Sequence, residues 1–263
     1  GTVMEAGVAW MLEQEGNEDV HSVNVLVGET NDGFLNDIRS QSVRAQHVFS
    51  AIESAEGGTV AEGNVGAGTG TRAFGWKAGI GTASRALPEA LGGHTVGVLV
   101  QSNFGGVLTM DGARVGEALD RYPFRASLEP DLELDADEVV DEQGSIMVII
   151  ATDAPVSERN LGRMAKRAAL GVGRTGGFMS NGSGDFMVAF STSDTVSHED
   201  PAEGRSRGVV ADRAMDPLFL ATVEATEEAI YNSLLKAESM GGRDGHYMEA
   251  LPLDRLEEVL NDR

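Results

Sequence analysis

Residues 144–177 read GSIMVIIATDAPVSERNLGRMAKRAALGVGRTGG. Ile146 to Ile150 is an unbroken apolar run of strand length, the pattern of a strand in a sheet buried on both faces. The chain then passes a short TDAP segment. Ser157 stands where a helix N-cap belongs, ahead of residues 157–170, which carry apolar groups at helical spacing. A buried strand feeding an amphipathic helix is the unit of a layered protein in which helices cover a sheet.

Reading outward from this unit keeps the same alternation. Downstream, Phe186 to Ser191 (FMVAFS) reads as a strand, and 194–209 as a polar loop. Asp216 to Glu238 reads as a helix, with Leu218, Leu220, Ala221, Ala225, Ile230, Leu234 and Leu235 at apolar positions. The tail LPLDRLEEVL reads as a last short helix. Upstream, residues 131–144 (DLELDADEVVDEQG) are acidic and aperiodic and read as an exposed loop, the clearest linker in the chain. Thr95 to Val100 (TVGVLV) reads as a strand. Val107–Met110 reads as a second strand or a hairpin, with Asp111-Gly112 as its turn. Residues 57–82 are dense in glycine, 40–55 read as a helix led by Ser40 and Ser42, 21–27 (HSVNVLV) as a strand and 2–15 as a helix. The fold class expected is α/β (α+β), in one domain over residues 1–263.

Composition narrows the possible activities. The chain has 42 Asp plus Glu against 20 Lys plus Arg, a formal net charge of -22. The only lysines are Lys77, Lys166 and Lys236. That argues against a basic nucleic-acid footprint, so no nucleic-acid partner is expected. A carboxylate-rich surface stays hydrated and its self-repulsion is screened at high salt, so a cytoplasm at high salt is the expected habitat. No apolar run is long enough for a transmembrane helix, and residues 1–15 lack the basic start of a signal peptide. No membrane partner is expected. Cysteine is absent, which excludes disulfides and thiolate metal sites. Aromatics make up only 5% of the chain, so the core must be aliphatic.

Few motifs could carry chemistry. GAGTGT at 66–71 does not complete GxGxxG, and no GxxxxGKS/T is present. These glycines read as tight turns and close backbone approaches. His21, His47, His94, His198 and His246 are not spaced as ligands on one helix, so no metal and no cofactor is assigned. GSGD at 182–185 is not the GxSxG elbow of hydrolases. A Ser-His-Asp triad needs no adjacency and stays open at this level.

The Gly144–Ser145 junction has a possible chemical use. A serine opening a rigid strand is held firmly, and Gly144 lacks the Cβ that would keep the Ser145 hydroxyl from its carbonyl. Attack, N-to-O shift and hydrolysis of the ester would leave Ser145 with a free α-amine. Such an amine titrates at roughly 7.7–8.0 and can serve as the general base for its own hydroxyl. A plain loop-to-strand junction has the same local sequence.

Stretches across the whole chain resemble the DmpA-type aminopeptidases, the family that includes β-peptidyl aminopeptidases. They are GETNDGFLNDIR (28–39), GNVGAGTGTRAFGWKAGIGTASR (63–85), VGVLVQSNFG (96–105), residues 144–177, SNGSGDFMVAFST (180–192), ATEEAIYNSL (225–234) and GGRDGHYMEALP (241–252). The resemblance implies a four-layer αββα sandwich, a self-cleaving architecture shared with ornithine acetyltransferases. It implies cleavage into an α chain, 1–144, and a β chain, 145–263, that begins with the nucleophile Ser145. By the same carry-over Asn103 holds the oxyanion, and Ser183 and Asp185 support the nucleophile. Phe34 stands where many members carry a tyrosine whose hydroxyl would reach the oxyanion. The family also usually has a segment ahead of the residues matching Gly1, so the α part is expected to lack its leading portion. The activity implied is removal of N-terminal residues from short peptides, amino-acid amides or esters, in a homo-oligomer of αβ units. Two alternatives stand beside it: a self-cleaving acyltransferase of the ornithine acetyltransferase type, which would use threonine where this chain has Ser145, and a scaffold that never cleaves.

Overall fold

The computed structural model describes residues 1–134, 140, 144–195 and 208–262. The acidic linker expected at 131–144 and the polar loop expected at 194–209, with His198, therefore lie largely outside the described residues. In chain order the helices are α1 (Thr2–Leu12), α2 (Ala45–Glu53), α3 (Val115–Ala118), α4 (Arg125–Leu128), α5 (Glu158–Arg174), α6 (Asp216–Leu235) and α7 (Leu253–Asn261). The strands are β1 (Arg72–Ala73), β2 (Trp76–Lys77), β3 (Ile80–Ala86), β4 (Thr95–Asn103), β5 (Ser145–Thr152), β6 (Gly184–Ser191), β7 (Met240–Gly241) and β8 (Tyr247–Met248).

The central sheet has the order β3-β4-β5-β6. Its first three strands are antiparallel, and β6 runs parallel to β5. The apolar run Ile146–Ile150 lies inside it, on β5. Val96, Val98 and Val100 of β4 and Ile146, Val148 and Ile150 of β5 alternate onto one face, all buried. There they meet Met164, Leu218, Ile230 and Leu234 of α5 and α6 in the core cluster. Each such aliphatic side chain contributes roughly 1.5–3 kcal/mol by leaving water. Helix and sheet approach closely because Gly81 faces α6: a Cβ there would overlap the Ala229 carbonyl. Helix α5 starts where expected, with the Ser157 hydroxyl accepting the Asn160 N–H at 3.3 Å.

The opposite face is covered differently. Residues 28–31 cross it: a Cβ at Gly28 would overlap the Met147 side chain, and Gln101 Nε2 donates to Thr30 Oγ1 at 2.9 Å. Ile149 is only half-buried here, and Phe186 and Phe190 of β6 are exposed. Burial on both faces therefore holds for Ile146–Val148 but not for the far end of β5. The sheet and its two long helices form two layers of the expected sandwich.

Several local expectations change. Residues 21–27 form no strand: burial still alternates through Val23, Val25 and Val27, but no partner strand pairs with them among the described residues. The helices expected at 2–15 and 40–55 shrink to α1 and α2, and at the start of α2 the His47 ring, not Ser40 or Ser42, makes the side-chain contact: its Nδ1 accepts the Arg44 N–H at 3.1 Å. Strand β4 runs on through Gln101 and Ser102 to Asn103, because these polar side chains find partners in Ala67, Ser233 and Asn31. Strand β3 was hidden in glycine-rich sequence with no apolar alternation. Residues 107–110 form no strand, but the Asp111-Gly112 turn expected after them is formed, with both residues at positive φ and Met110 bridging Ala113. The glycines at 63, 68 and 79 sit at backbone crossings: a Cβ at Gly79 would overlap Gly63, and one at Gly68 would overlap Gly79 and Ile80.

Candidate active site

Strand β5 begins at Ser145, and the residue directly opposite Ser145 in the antiparallel ladder is Asn103, the last residue of β4. Both are buried, with 8% and 6% of their surface exposed. As cross-strand partners their side chains share one face of the sheet. The structure thus brings together the predicted nucleophile and the predicted oxyanion residue. The Asn103 amide is itself engaged: Nδ2 donates to the Asn31 carbonyl at 3.0 Å, and Oδ1 accepts the Arg72 N–H at 3.3 Å.

Gly144 precedes Ser145 in a crowded position. A Cβ there would overlap the Asn103 carbonyl and the Phe104 backbone, so no larger residue fits this backbone path. The Gly144 carbonyl accepts the Gly184 N–H at 2.9 Å, which extends the β5–β6 pairing to the peptide bond before the strand.

A cavity of about 600 Å³ opens at this junction. Gly144, Asn103, Gly182 and Phe34 lie on its wall. Its charged groups are mixed: Asp32 and Asp37 against Arg39, Arg72 and Arg243. Phe34 is clamped between the His246 ring, stacked at 4.6 Å, and the Arg72 guanidinium, 4.3 Å from the ring centre. It lines the cavity as a flat apolar wall and has no hydroxyl to offer.

Ser183 and Asp185 form a second pair. The Ser183 hydroxyl donates to Asp185 Oδ1 at 2.7 Å. Gly184, between them, is the ladder partner of Ser145, whereas Asp185 pairs with Ile146. Register therefore sends the Asp185 side chain from the sheet on the face opposite to Ser145. The two pairs, Asn103 with Ser145 and Ser183 with Asp185, meet at the Gly184 backbone.

Lys77 escaped the sequence reading. It is fully buried, and its Nζ donates to the Gly68 carbonyl at 3.1 Å and to the Ala78 carbonyl. Burial lowers its pKa to about 8, opposed by the attraction of Asp32. Asp32 packs against Gly70, so Lys77 and Asp32 both hold the glycine-rich loop, and Asp32 also lines the cavity. The signal was present in the sequence: one of only three lysines sits within the apolar AFGWKAG. Among the described residues no group of three or more His, Asp or Glu side chains is arranged to hold a metal, and no helix is long and apolar enough to cross a membrane.

The model of peptidase family S58 matches residues 1–248. The chain is 40% identical over 263 residues to a β-peptidyl aminopeptidase, BapA, of Sphingosinicella microcystinivorans, covering 99% of this chain and 66% of that protein. The PH0078 protein of Pyrococcus horikoshii OT3 superposes with a TM-score of 0.86 at 45% identity, over 100% of this chain and 70% of that one. The L-aminopeptidase D-Ala-esterase/amidase of Ochrobactrum anthropi, described as a variant of the Ntn hydrolase fold, superposes at 0.82 with 34% identity, again over 100% and 70%. The architecture is thus an α/β sandwich of the Ntn hydrolase kind, and the chain spans just under two thirds of the length of the curated relatives it matches.

Proposed function

The chain belongs to peptidase family S58, and from that premise we propose that it is a self-cleaving serine aminopeptidase whose nucleophile is Ser145. The observation that carries the reading is the position of Ser145: first residue of a buried strand, opposite Asn103, preceded by a glycine whose backbone lines a cavity. Breakage of the Gly144–Ser145 bond gives chains 1–144 and 145–263. The new α-amine of Ser145 takes the hydroxyl proton, the hydroxyl oxygen attacks the substrate carbonyl, and the amine returns the proton to the departing group; water then hydrolyses the acyl ester left on Ser145, releasing the acid and restoring the hydroxyl. Asn103 Nδ2, released from Asn31, donates to the oxyanion. Ser183 and Asp185, joined to Ser145 through the Gly184 pairing, hold the new terminus in place.

The substrate class proposed is a short peptide, amino-acid amide or ester with a free amino group, in keeping with what the relatives' names say of those proteins. Asp32 and Asp37 are the carboxylates of the cavity able to meet an ammonium group, and Phe34 offers its ring to the adjoining apolar part. The composition supports a cytoplasm at high salt, and the working unit proposed is a homo-oligomer of αβ pairs. The reading is tested by incubating the protein with β-alanyl and L-alanyl p-nitroanilides. Release of nitroaniline that vanishes in Ser145→Ala is expected. Equal release by that variant would overturn the assignment.

A further inference from the structure

We propose that the backbone N–H of Gly184 is the oxyanion donor for self-cleavage, and that this step and peptide hydrolysis draw on different donors. The inference rests on the self-cleavage reading above and deepens it. The uncleaved chain shows which group already holds the scissile carbonyl. Gly184 N–H donates to the Gly144 oxygen at 2.9 Å. Asn103 Nδ2 is committed instead to the Asn31 carbonyl at 3.0 Å. When Ser145 Oγ adds to the Gly144 carbonyl carbon, the C=O electron pair moves onto that oxygen, where Gly184 N–H already points. The C–N bond to Ser145 then breaks, and the nitrogen leaves as an amine carrying the hydroxyl proton. The product is a Gly144 ester of Ser145, which water hydrolyses to a Gly144 carboxylate and a free Ser145.

Two further features fit this step. The Gly144 backbone is hemmed in by Asn103 and Phe104, so the carbonyl is held in one orientation before attack. Gly184 reaches Gly144 only through the parallel β5–β6 register, which pairs Ser145 with Gly184. The activating donor therefore arrives only once these strands have paired. Self-cleavage is then gated by folding: an unfolded or partly folded chain lacks the donor and stays whole.

The test replaces the donor without changing shape. Glycolic acid in place of Gly184, introduced by in-vitro translation, turns the Ser183–Gly184 amide into an ester and deletes only the N–H. Three full-length precursors, wild type, this ester form and Asn103→Ala, are followed by denaturing gel after synthesis, with thermal melts to confirm folding. Gly184→Ala serves as a control: a Cβ there makes only ordinary contacts with Phe186 and Ser145 and keeps the N–H. The expected result is a cleavage rate about 100- to 1,000-fold lower in the ester form, as for loss of one oxyanion donor, and rates within a few-fold of wild type for Gly184→Ala and Asn103→Ala. An ester form that folds and cleaves at the wild-type rate overturns the assignment of Gly184 alone. Slowing of Asn103→Ala to the same degree as the ester form overturns the separation of donors. A wild-type chain that never cleaves overturns the self-cleavage reading itself.

Discussion

Asn103 and Ser145 are direct partners across the β4–β5 ladder, the last residue of one strand facing the first of the next. Two backbones in one sheet therefore fix the distance between amide and hydroxyl, and neither depends on a loop for its position. A site held by strand pairing is more rigid than one carried on loops.

Removing the Asn103 amide from this pair separates hydrolysis from folding. Asn103→Ala is expected to lower kcat for an alanyl p-nitroanilide by roughly two to three orders of magnitude, the usual cost of one oxyanion donor. Turnover unchanged from wild type would remove Asn103 from the site.

Gly144 tolerates no side chain. In Gly144→Ala the new Cβ must displace the Asn103 carbonyl and the Phe104 backbone, which moves the scissile carbonyl relative to Ser145. Processing is expected to slow at least about tenfold, since small misplacements of reacting groups are costly. A time course of chain cleavage after synthesis reads the effect, and an unaltered rate would show that the crowding is irrelevant to the step.

Lys77 makes stability pH-dependent in a defined window. Burial lowers its pKa from 10.5 to about 8 in the folded chain. Between those values the unfolded chain holds a proton that the folded chain has released. Stability should therefore rise as pH climbs from about 8 to about 10.5, by at most about 3 kcal/mol from this group. Lys77→Met should lose that rise. Urea melts of both proteins across the window measure the difference, and parallel curves would contradict it.

The charge predicts a salt response. Asp254, Glu257, Glu258 and Asp262 crowd one side of α7, and the whole chain carries -22. The Debye length is about 10 Å at 0.1 M salt and about 3 Å at 1 M. The melting temperature should rise into molar KCl as this repulsion is screened. A flat or falling curve would refute the high-salt habitat and leave the peptidase assignment standing.

Much of this could be read from residue order alone, for identifiable reasons. The β5–α5 unit was legible because Ile146–Ile150 and the Ser157 cap obey periodicity and capping chemistry, which act within a few residues. Ser145, Asn103, Ser183 and Asp185 stand out as candidates through family motifs. Their arrangement was not legible, because it depends on register: only the pairing of Ser145 with Asn103 and Gly184 shows which side chains share a face and which backbone N–H reaches Gly144. Residues 21–27 misled for the converse reason. Val23, Val25 and Val27 alternate as in a strand, but a ladder also needs a partner, and period-2 alternation does not supply one. Strand β3 was missed because IGTASRA owes its place to the close approach of α6 at Gly81, a long-range contact without a local signature.

The central claim is that Ser145 becomes an N-terminus, and intact-mass measurement with N-terminal sequencing of the purified protein tests it most directly. The account predicts two chains, one beginning SIMVII at Ser145 and one ending at Gly144, and a single uncleaved chain for Ser145→Ala. A folded wild-type protein that stays one chain, or a new terminus at any residue other than Ser145, would contradict it.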